Sequence, residues 1–195
     1  MQKKLLPLLL LPVLALASCG GTSTPTPTTT NTNVSGNTTT NPTPTAPKTL
    51  DAGDQTMTAE ETQVLKELNA TRAVGRTCGT KYMAAAPAVT WNGYLAAAAR
   101  GHASDMATRG YFAHTSPDGI TMKDRANAAG YTGWTELGEN IAAGYTLNSV
   151  TQGWLDSATH CETLMDPKLK EVGIAYVYRA GSQYGTYWVQ DFGTR

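Results

Sequence analysis

The stretch that decides the fold is VGIAYVYRAGSQYGTYWVQDFG, residues 172–193. It is typical of two β-strands joined by a glycine-containing loop, which predicts a β-hairpin. Val172, Ile174 and Val177 fall on both sides of this ribbon, so both of its faces need cover. A helix–sheet–helix sandwich of the α+β class meets that need.

The segments upstream of the hairpin supply the helices for this cover. Thr58 followed by Glu61 forms a capping-box pattern, and the apolar residues after it predict a helix over about residues 59–73. WNGYLAAAARGHASDMATRG predicts a second helix over about residues 92–109. The sequence between them, residues 76–90, is typical of a loop.

Three further segments complete the expected order of elements. ITMKDRANAAGY, residues 120–131, predicts a short helix, and ELGENIAAG, residues 136–144, predicts a short extended piece. NSVTQGWLDSATHC, residues 148–161, predicts one helix that begins at Asn148 or Ser149.

The charge pattern excludes one class of partner. The chain has 15 basic and 15 acidic residues and a formal net charge of zero, with no block of like charge. A nucleic-acid partner is therefore not expected, because clustered Lys and Arg are missing. The last ~140 residues suffice for one domain with its own core, which we expect to be a monomer.

The N-terminus is typical of an export signal. Residues 1–19 combine a short basic start with an apolar run that is too short to span a bilayer as a helix. The run ends in LASC, which resembles a bacterial lipobox and predicts lipidation of Cys19 and anchoring of the exported protein to the cell envelope. An ordinary cleavable signal is the alternative. Residues 20–56 are rich in Thr, Pro and Asn, and they predict a disordered tether.

The cysteine count bears on the same question. Three cysteines are an odd number for an exported chain. If Cys19 carries lipid, Cys78 and Cys161 remain as a pair in an oxidising compartment.

Five phrases, taken together and in order, resemble a known family. They are YFAHTSPDG, GENIAAG, GWLDSATHC, EVGIAYVY and YGTYWVQDFG. The set is similar to the bacterial branch of the CAP superfamily, or SCP-domain proteins, over about residues 57–192. The resemblance implies a three-layer α-β-α sandwich, here a domain over residues 57–195, and a disulfide between Cys78 and Cys161.

The resemblance also implies a central cavity with two histidines and two acidic residues, which binds a divalent metal in some members. His114, Glu139 and His160 match this set. The position of the second acid is Ser157, so Asp156 is the candidate substitute. Asp156 lies four residues before His160 and would share a helix face with it.

Two interpretations of the cavity follow. Two imidazoles and a carboxylate suit Zn²⁺ with an open position that activates water. The alternative is a buried polar network, in which Glu139 pairs with Arg125 or accepts a hydrogen bond from a histidine. His102 lies on an apolar helix face and is interpreted as a core histidine.

Two functions are therefore predicted. The first is a membrane-tethered, non-catalytic binding module for a lipid, a sterol, another hydrophobic small molecule or an envelope component. The alternative is a divalent-metal-dependent hydrolase that uses His114, Glu139 and His160. The sequence favours binding over catalysis and leaves the enzymatic question open.

Overall fold

A four-stranded sheet, in the order β3-β5-β6-β4, forms the centre of the computed structural model, which describes residues 55–195. The strands are β3 (Thr90–Trp91), β4 (Glu136–Ala143), β5 (Glu171–Tyr178) and β6 (Thr186–Thr194). β5 and β6 pair antiparallel, so the hairpin predicted over residues 172–193 is confirmed. Cys19, residues 1–19 and nearly all of the predicted tether lie outside the described residues, and their assignments stay predictions.

Helices cover both faces of this sheet. α1 (Ala59–Arg72), α4 (Leu147–Leu155) and α5 (Ala158–Met165) lie on one face. α2 (Gly93–Arg109) packs on the other face and carries α3 (Met122–Ala129) beside it. The predicted three-layer α-β-α sandwich of the α+β class is therefore confirmed.

The start of α1 follows from its sequence. The backbone N–H of Glu61 donates to Thr58 Oγ1 at 3.2 Å, and the backbone N–H of Thr58 donates to Glu61 Oε2 at 3.0 Å. These bonds satisfy two N–H groups that a helix start leaves without partners. The predicted capping box is confirmed.

The segment predicted as a loop over residues 76–90 contains more structure than expected. Arg76–Cys78 (β1) and Lys81–Met83 (β2) form a small antiparallel hairpin, and β3 closes the segment. Gly79 has φ of 60°, which allows the tight turn between β1 and β2. The loop prediction was wrong because two three-residue strands are too short to show periodicity.

The single helix predicted over residues 148–161 is two helices. α4 begins after Thr146 and ends at Leu155, and α5 begins after Ser157, whose backbone is extended with φ of −98° and ψ of 122°. The break lies at Asp156 and Ser157. The prediction that Asp156 and His160 share one helix face is therefore wrong.

Small residues bring α2 close to the sheet. Ala99, Ala103 and Ala107 are buried against it. Gly173 on β5 lies directly under the start of α2, and a Cβ added there would stand 2.0 Å from the backbone nitrogen of Ala96. The helix therefore rests on the β5 backbone itself, and a side chain at position 173 would displace it.

We expect Gly173→Ala to lower the free energy of unfolding by about 3 kcal/mol, because the added methyl group forces α2 away from a close-packed sheet. Urea unfolding measures the loss. The matched control is Gly101→Ala on the exposed side of α2, where a Cβ meets nothing within 4 Å. That change should stabilise the protein by about 0.5–1 kcal/mol. Equal effects at both positions would contradict the close approach.

Candidate functional site

The candidate site is centred on Glu139, near the middle of β4. His114 Nδ1 lies 2.7 Å from Glu139 Oε1, and Arg125 Nη2 donates to Glu139 Oε2 at 2.5 Å. The side chain of Glu139 is 5% exposed, whereas that of His114 is 55% exposed. The site therefore has a buried carboxylate and a solvent-facing imidazole.

Arg125 joins three elements at this site. It projects from α3, whose start is capped by the Thr121 hydroxyl accepting from the backbone N–H of Asp124. Its Nη1 donates to the carbonyl of Ile120, and its Nη2 also donates to the carbonyl of His114 at 3.1 Å. One guanidinium thus holds both the carboxylate and the segment that carries His114. The sequence analysis proposed either Arg125 or a histidine as partner of Glu139, and the structure has both.

The charges around Glu139 determine its ionisation. Burial alone would raise its pKa, but the hydrogen bond from His114 and the charge of Arg125 outweigh burial and hold the pKa of Glu139 below its ordinary value. An ionised Glu139 accepts hydrogen bonds, so the proton of a neutral His114 lies on Nδ1. His114 Nε2 is then an acceptor that faces solvent.

Asp191 is the carboxylate that the sequence analysis missed. It lies on β6 directly opposite Glu139 and also opposite Gly173, so all three positions share the α2 face of the sheet. Its side chain is fully buried, and no N–H or hydroxyl group of residues 55–195 donates to it. Its polar contact is a carboxyl–carboxylate hydrogen bond with Glu139. The signal was present in VQDFG: an acidic residue lies in a predicted strand whose two faces both need cover.

Three effects raise the pKa of Asp191 well above its ordinary value: burial first, then the like charge of Glu139, then the hydrogen bond that a protonated Asp191 donates to Glu139. The raised value in the folded state means that the native protein holds a proton that the unfolded chain has released. Stability therefore falls as the pH rises from the ordinary carboxyl value toward the raised one.

We expect Asp191→Asn to flatten this decline, because an amide cannot ionise. Urea unfolding of both proteins between pH 5 and pH 8 should show a steeper loss in the wild type. Asp156→Asn, at an exposed position, is the matched control and should follow the wild-type slope. Parallel curves for the wild type and Asp191→Asn would contradict the shift.

His102 lies behind the site on α2. It is 1% exposed, and its Nε2 lies 3.0 Å from the carbonyl of Ala113. Burial, and then the charge of Arg125, lowers the pKa of His102. The interpretation of His102 as a satisfied core histidine is confirmed, and its bond to Ala113 also supports the segment that carries His114.

His160 and Asp156 lie apart from the hydrogen-bonded group. His160 is half-buried on α5, and its carbonyl accepts from Asn140 Nδ2 at 3.2 Å. Burial, and then the charge of His114, lowers the pKa of the His160 ring. Asp156 is exposed at the end of α4 and accepts from Gln152 at 2.7 Å. His114 is therefore hydrogen-bonded to Glu139, whereas the ring of His160 makes no hydrogen bond with the ring of His114.

The predicted metal ligands do not form a metal site in this arrangement. Across residues 55–195, no three His, Cys, Asp or Glu side chains converge closely enough to hold a metal ion. Both oxygens of Glu139 accept N–H donors, and the guanidinium of Arg125 places a positive charge against the carboxylate. A divalent cation at Glu139 would lie beside this positive charge and be repelled by it.

The disulfide lies beside His160. Cys78 and Cys161 are bonded, with their Cα atoms 5.4 Å apart, and both are buried with Met165. The predicted pairing is confirmed. It ties the start of α5 to β1, and it excludes Cys161 as a thiol nucleophile.

An open groove leads from the exposed side of His114. Its volume is about 520 Å³, and we name it the α3-side groove because it lies between the start of α3 and β4. Met122, Trp134 and Leu137 give it apolar surface, and its lining also includes His114, Glu139, Lys123 and Glu136. Trp134 is oriented by a hydrogen bond from its Nε1 to Asn127 at 2.9 Å.

A match to a protein-family model shows which family this chain belongs to. Residues 65–192 match the Cysteine-rich secretory protein family, CAP. The chain belongs to the CAP family. The resemblance predicted from five sequence phrases is confirmed, and the match includes every residue of the candidate site.

Bacterial CAP proteins are among the similar chains. Uncharacterized protein YkwD of Bacillus subtilis (strain 168) is 31% identical over 99 residues, which are 50% of this chain and 36% of YkwD. An extracellular protein of Bacillus anthracis str. Ames containing an SCP domain is 27% identical, with a TM-score of 0.56, and the match covers 70% of this chain and 40% of that one. This CAP chain therefore matches well under two thirds of the length of either Bacillus protein.

A third similarity concerns the fold alone. An outer surface protein of Borrelia burgdorferi has a TM-score of 0.58 and 20% identity, and the match covers 72% of this chain and 96% of that one. The Bacillus anthracis structure is described as an extracellular protein and the Borrelia burgdorferi structure as an outer surface protein. Within the part of this chain that the structure describes, no helix is long and apolar enough to cross a membrane.

Proposed function

We propose that this CAP protein is an exported, lipid-tethered, non-catalytic binding module that holds an amphiphilic component of the bacterial envelope. One observation carries the proposal: an open groove with more apolar than polar surface is lined by a hydrogen-bonded imidazole that faces solvent. Pockets of this kind place apolar walls around a few polar groups that orient the ligand.

The groove offers two kinds of contact. An apolar part of the ligand would lie against Met122, Trp134 and Leu137. A donor group of the ligand, an N–H or an O–H, would reach Nε2 of His114, because Nδ1 is held by Glu139. Arg125 serves this arrangement by fixing both Glu139 and the backbone of His114.

The groove is tested with the full-length protein purified from bacterial membranes. Mass spectrometry of co-purified molecules should reveal a component that the wild type retains and Trp134→Ala loses. Tyr82→Ala is the control, since it removes an aromatic ring that is 69% exposed on the small β1–β2 hairpin. Circular dichroism checks that both variants fold. The same retained molecules in all three proteins would refute binding in this groove.

The lipid anchor on Cys19 is tested separately. Cys19→Ser should move the protein from the membrane fraction to the soluble exported fraction, because the lipid is then absent. The residue lies outside the described part of the chain, so its role rests on the lipobox-like sequence. A variant that stays with the membrane would contradict lipidation at this cysteine.

The hydrolase alternative stays a prediction. It requires a metal among His114, Glu139 and His160, and the contacts of Glu139 with His114 and Arg125 do not favour one.

A further inference from the structure

The starting point is the outer edge of β4. Among residues 55–195 this strand pairs only with β6, so it is an edge of the sheet. In an antiparallel pair, residues alternate between those that bond to the partner strand and those whose N–H and C=O point away. Gly144 N donates to Thr186 O at 3.0 Å, in the same register as the rest of the pair.

This bond fixes which residues of β4 face outward. Even-numbered residues, in phase with Gly144, exchange hydrogen bonds with β6. Leu137 and Glu139 are out of phase with Gly144, so their backbone N–H and C=O groups point away from the sheet. Backbone bonds from Leu137 or Glu139 to residues outside β4 and β6 do not occur in the described chain. The edge thus offers a donor and an acceptor at each second residue.

A second groove lies on the opposite face of the same edge. It has a volume of about 570 Å³, and we name it the α5-side groove because α5 and the turn after it form its wall. The α3-side and α5-side grooves share only Leu137 and Gly138. Gly138 lacks a side chain, and a Cβ there would come within 3.2 Å of Leu169 and Thr163. The backbone of β4 therefore forms the junction between the two grooves.

The two grooves differ in chemistry. The α3-side groove is the more apolar of the two, with the surfaces of Met122, Trp134 and Leu137 beside the charged Lys123 and Glu136. The α5-side groove is the more polar: it has four charged residues, Lys81, Glu162, Asp166 and Lys168, beside apolar Met83, Pro167 and Leu169. Successive side chains of a β-strand point to opposite faces. A strand added beside β4 would thus place one side chain in the more apolar groove and the next in the more polar groove.

We propose that β4 is the docking strand for an extended polypeptide segment that alternates apolar and polar residues. The segment pairs with the outward groups of Leu137 and Glu139 as a fifth strand, and its side chains enter the two grooves in turn. The inference rests on the proposed function, because it names the ligand class of the α3-side groove. A single chain fits better than a second copy of this domain. The edge lies between walls formed by residues 121–123 on one side and 159–169 on the other, and a folded domain would meet those walls first.

The proposal is tested with full-length protein in detergent and a pool of end-capped peptides of eight residues, the length of β4. The peptides alternate apolar and polar residues. Two further pools carry N-methyl groups on alternate residues, in opposite phases. In one of these two pools the methyl groups replace the N–H groups that would face β4. In the other pool they replace the N–H groups that point away from it. We expect the parent pool and one phase to bind, and the other phase to bind about tenfold more weakly or worse, since each lost backbone bond costs about 1 kcal/mol.

Leu137→Pro tests the same contact from the protein side. Proline removes the outward N–H of Leu137 while the bonds to β6 come from its neighbours. Peptide binding should fall roughly tenfold or more, whereas Leu137→Ala, which keeps the N–H, should lose less. If Leu137→Pro does not fold, the two N-methyl phases decide the question on unaltered protein.

Three results would overturn the proposal. They are the absence of binding by the parent pool, equal binding of both N-methyl phases, and a concentration-dependent dimer of the free protein that Leu137→Pro abolishes. The last result would assign the edge to a second copy. Loss of a co-purified ligand in Trp134→Ala together with equal N-methyl phases would leave the groove function standing and remove strand pairing alone.

Discussion

Arg72→Met is expected to lower the free energy of unfolding by about 5 kcal/mol, because it leaves a group of buried carbonyls without donors. Arg72 is fully buried near the end of α1. Its Nε donates to the carbonyl of Pro87 at 2.7 Å. Its two terminal nitrogens donate to the carbonyls of Leu164, Asp166 and Leu169 at 2.6, 3.1 and 3.0 Å.

These four bonds explain why a charge is tolerated in the core. Burial lowers the pKa of Arg72, yet a guanidinium stays protonated in proteins. Five donors in a rigid fork meet carbonyls from two distant segments, around Pro87 and around residues 164–169. Methionine has a similar length and none of these donors, so the carbonyls would be buried without partners.

Urea unfolding at neutral pH measures the Arg72 effect. Arg72→Lys retains the charge but lacks the fork, and it should fall between the wild type and Arg72→Met. Arg179→Met, at an exposed position in the β5–β6 loop, is the matched control and should change stability by less than about 0.5 kcal/mol. If Arg72→Met and Arg179→Met unfold at the same urea concentration, the four carbonyls need no donor.

Removal of the Cys78–Cys161 disulfide is expected to cost about 4–5 kcal/mol. The bond joins residues separated by 83 positions, and a loop of that length strongly restricts the unfolded chain. Both cysteines are 1% exposed, so alanine at each position also leaves a small cavity. α5, which carries His160, would lose its covalent link to β1.

The double variant Cys78→Ala/Cys161→Ala should therefore unfold at a much lower urea concentration than the wild type. A thiol reductant should lower the stability of the wild type toward that of the variant and leave the variant unchanged. Cys19→Ser is the control for a cysteine outside the domain and should leave the unfolding midpoint in place. Equal stability of wild type and double variant would contradict the expected cost.

Local patterns were sufficient where neighbouring residues carry the physical cause. Thr58 and Glu61 cap α1 through bonds between residues three apart, and the β5–β6 strands show the alternation of a hairpin. The family resemblance placed His114 and Glu139 in one cavity, and the structure puts His114 Nδ1 2.7 Å from Glu139 Oε1. It also paired Cys78 with Cys161.

Patterns failed at the break between α4 and α5 and at Asp191. The segment over residues 148–161 has continuous helical character, yet the chain breaks it at Ser157 between α4 and α5. Asp156 consequently ends α4 instead of joining His160. Asp191 was missed because its meaning depends on strand pairing: only the register of β6 against β4 places it opposite Glu139.

The sequence by itself determined the α+β class, the order of the main helices and strands, and the pair of cysteines available inside the domain. Periodicity, capping and composition act over a few residues and are present in the chain before it folds. Only the tertiary structure decided that Arg125 neutralises Glu139, that Asp191 is buried against Glu139, and that β4 is an open edge between two grooves. Those properties depend on desolvation and on contacts between residues far apart in the chain, which no local pattern encodes.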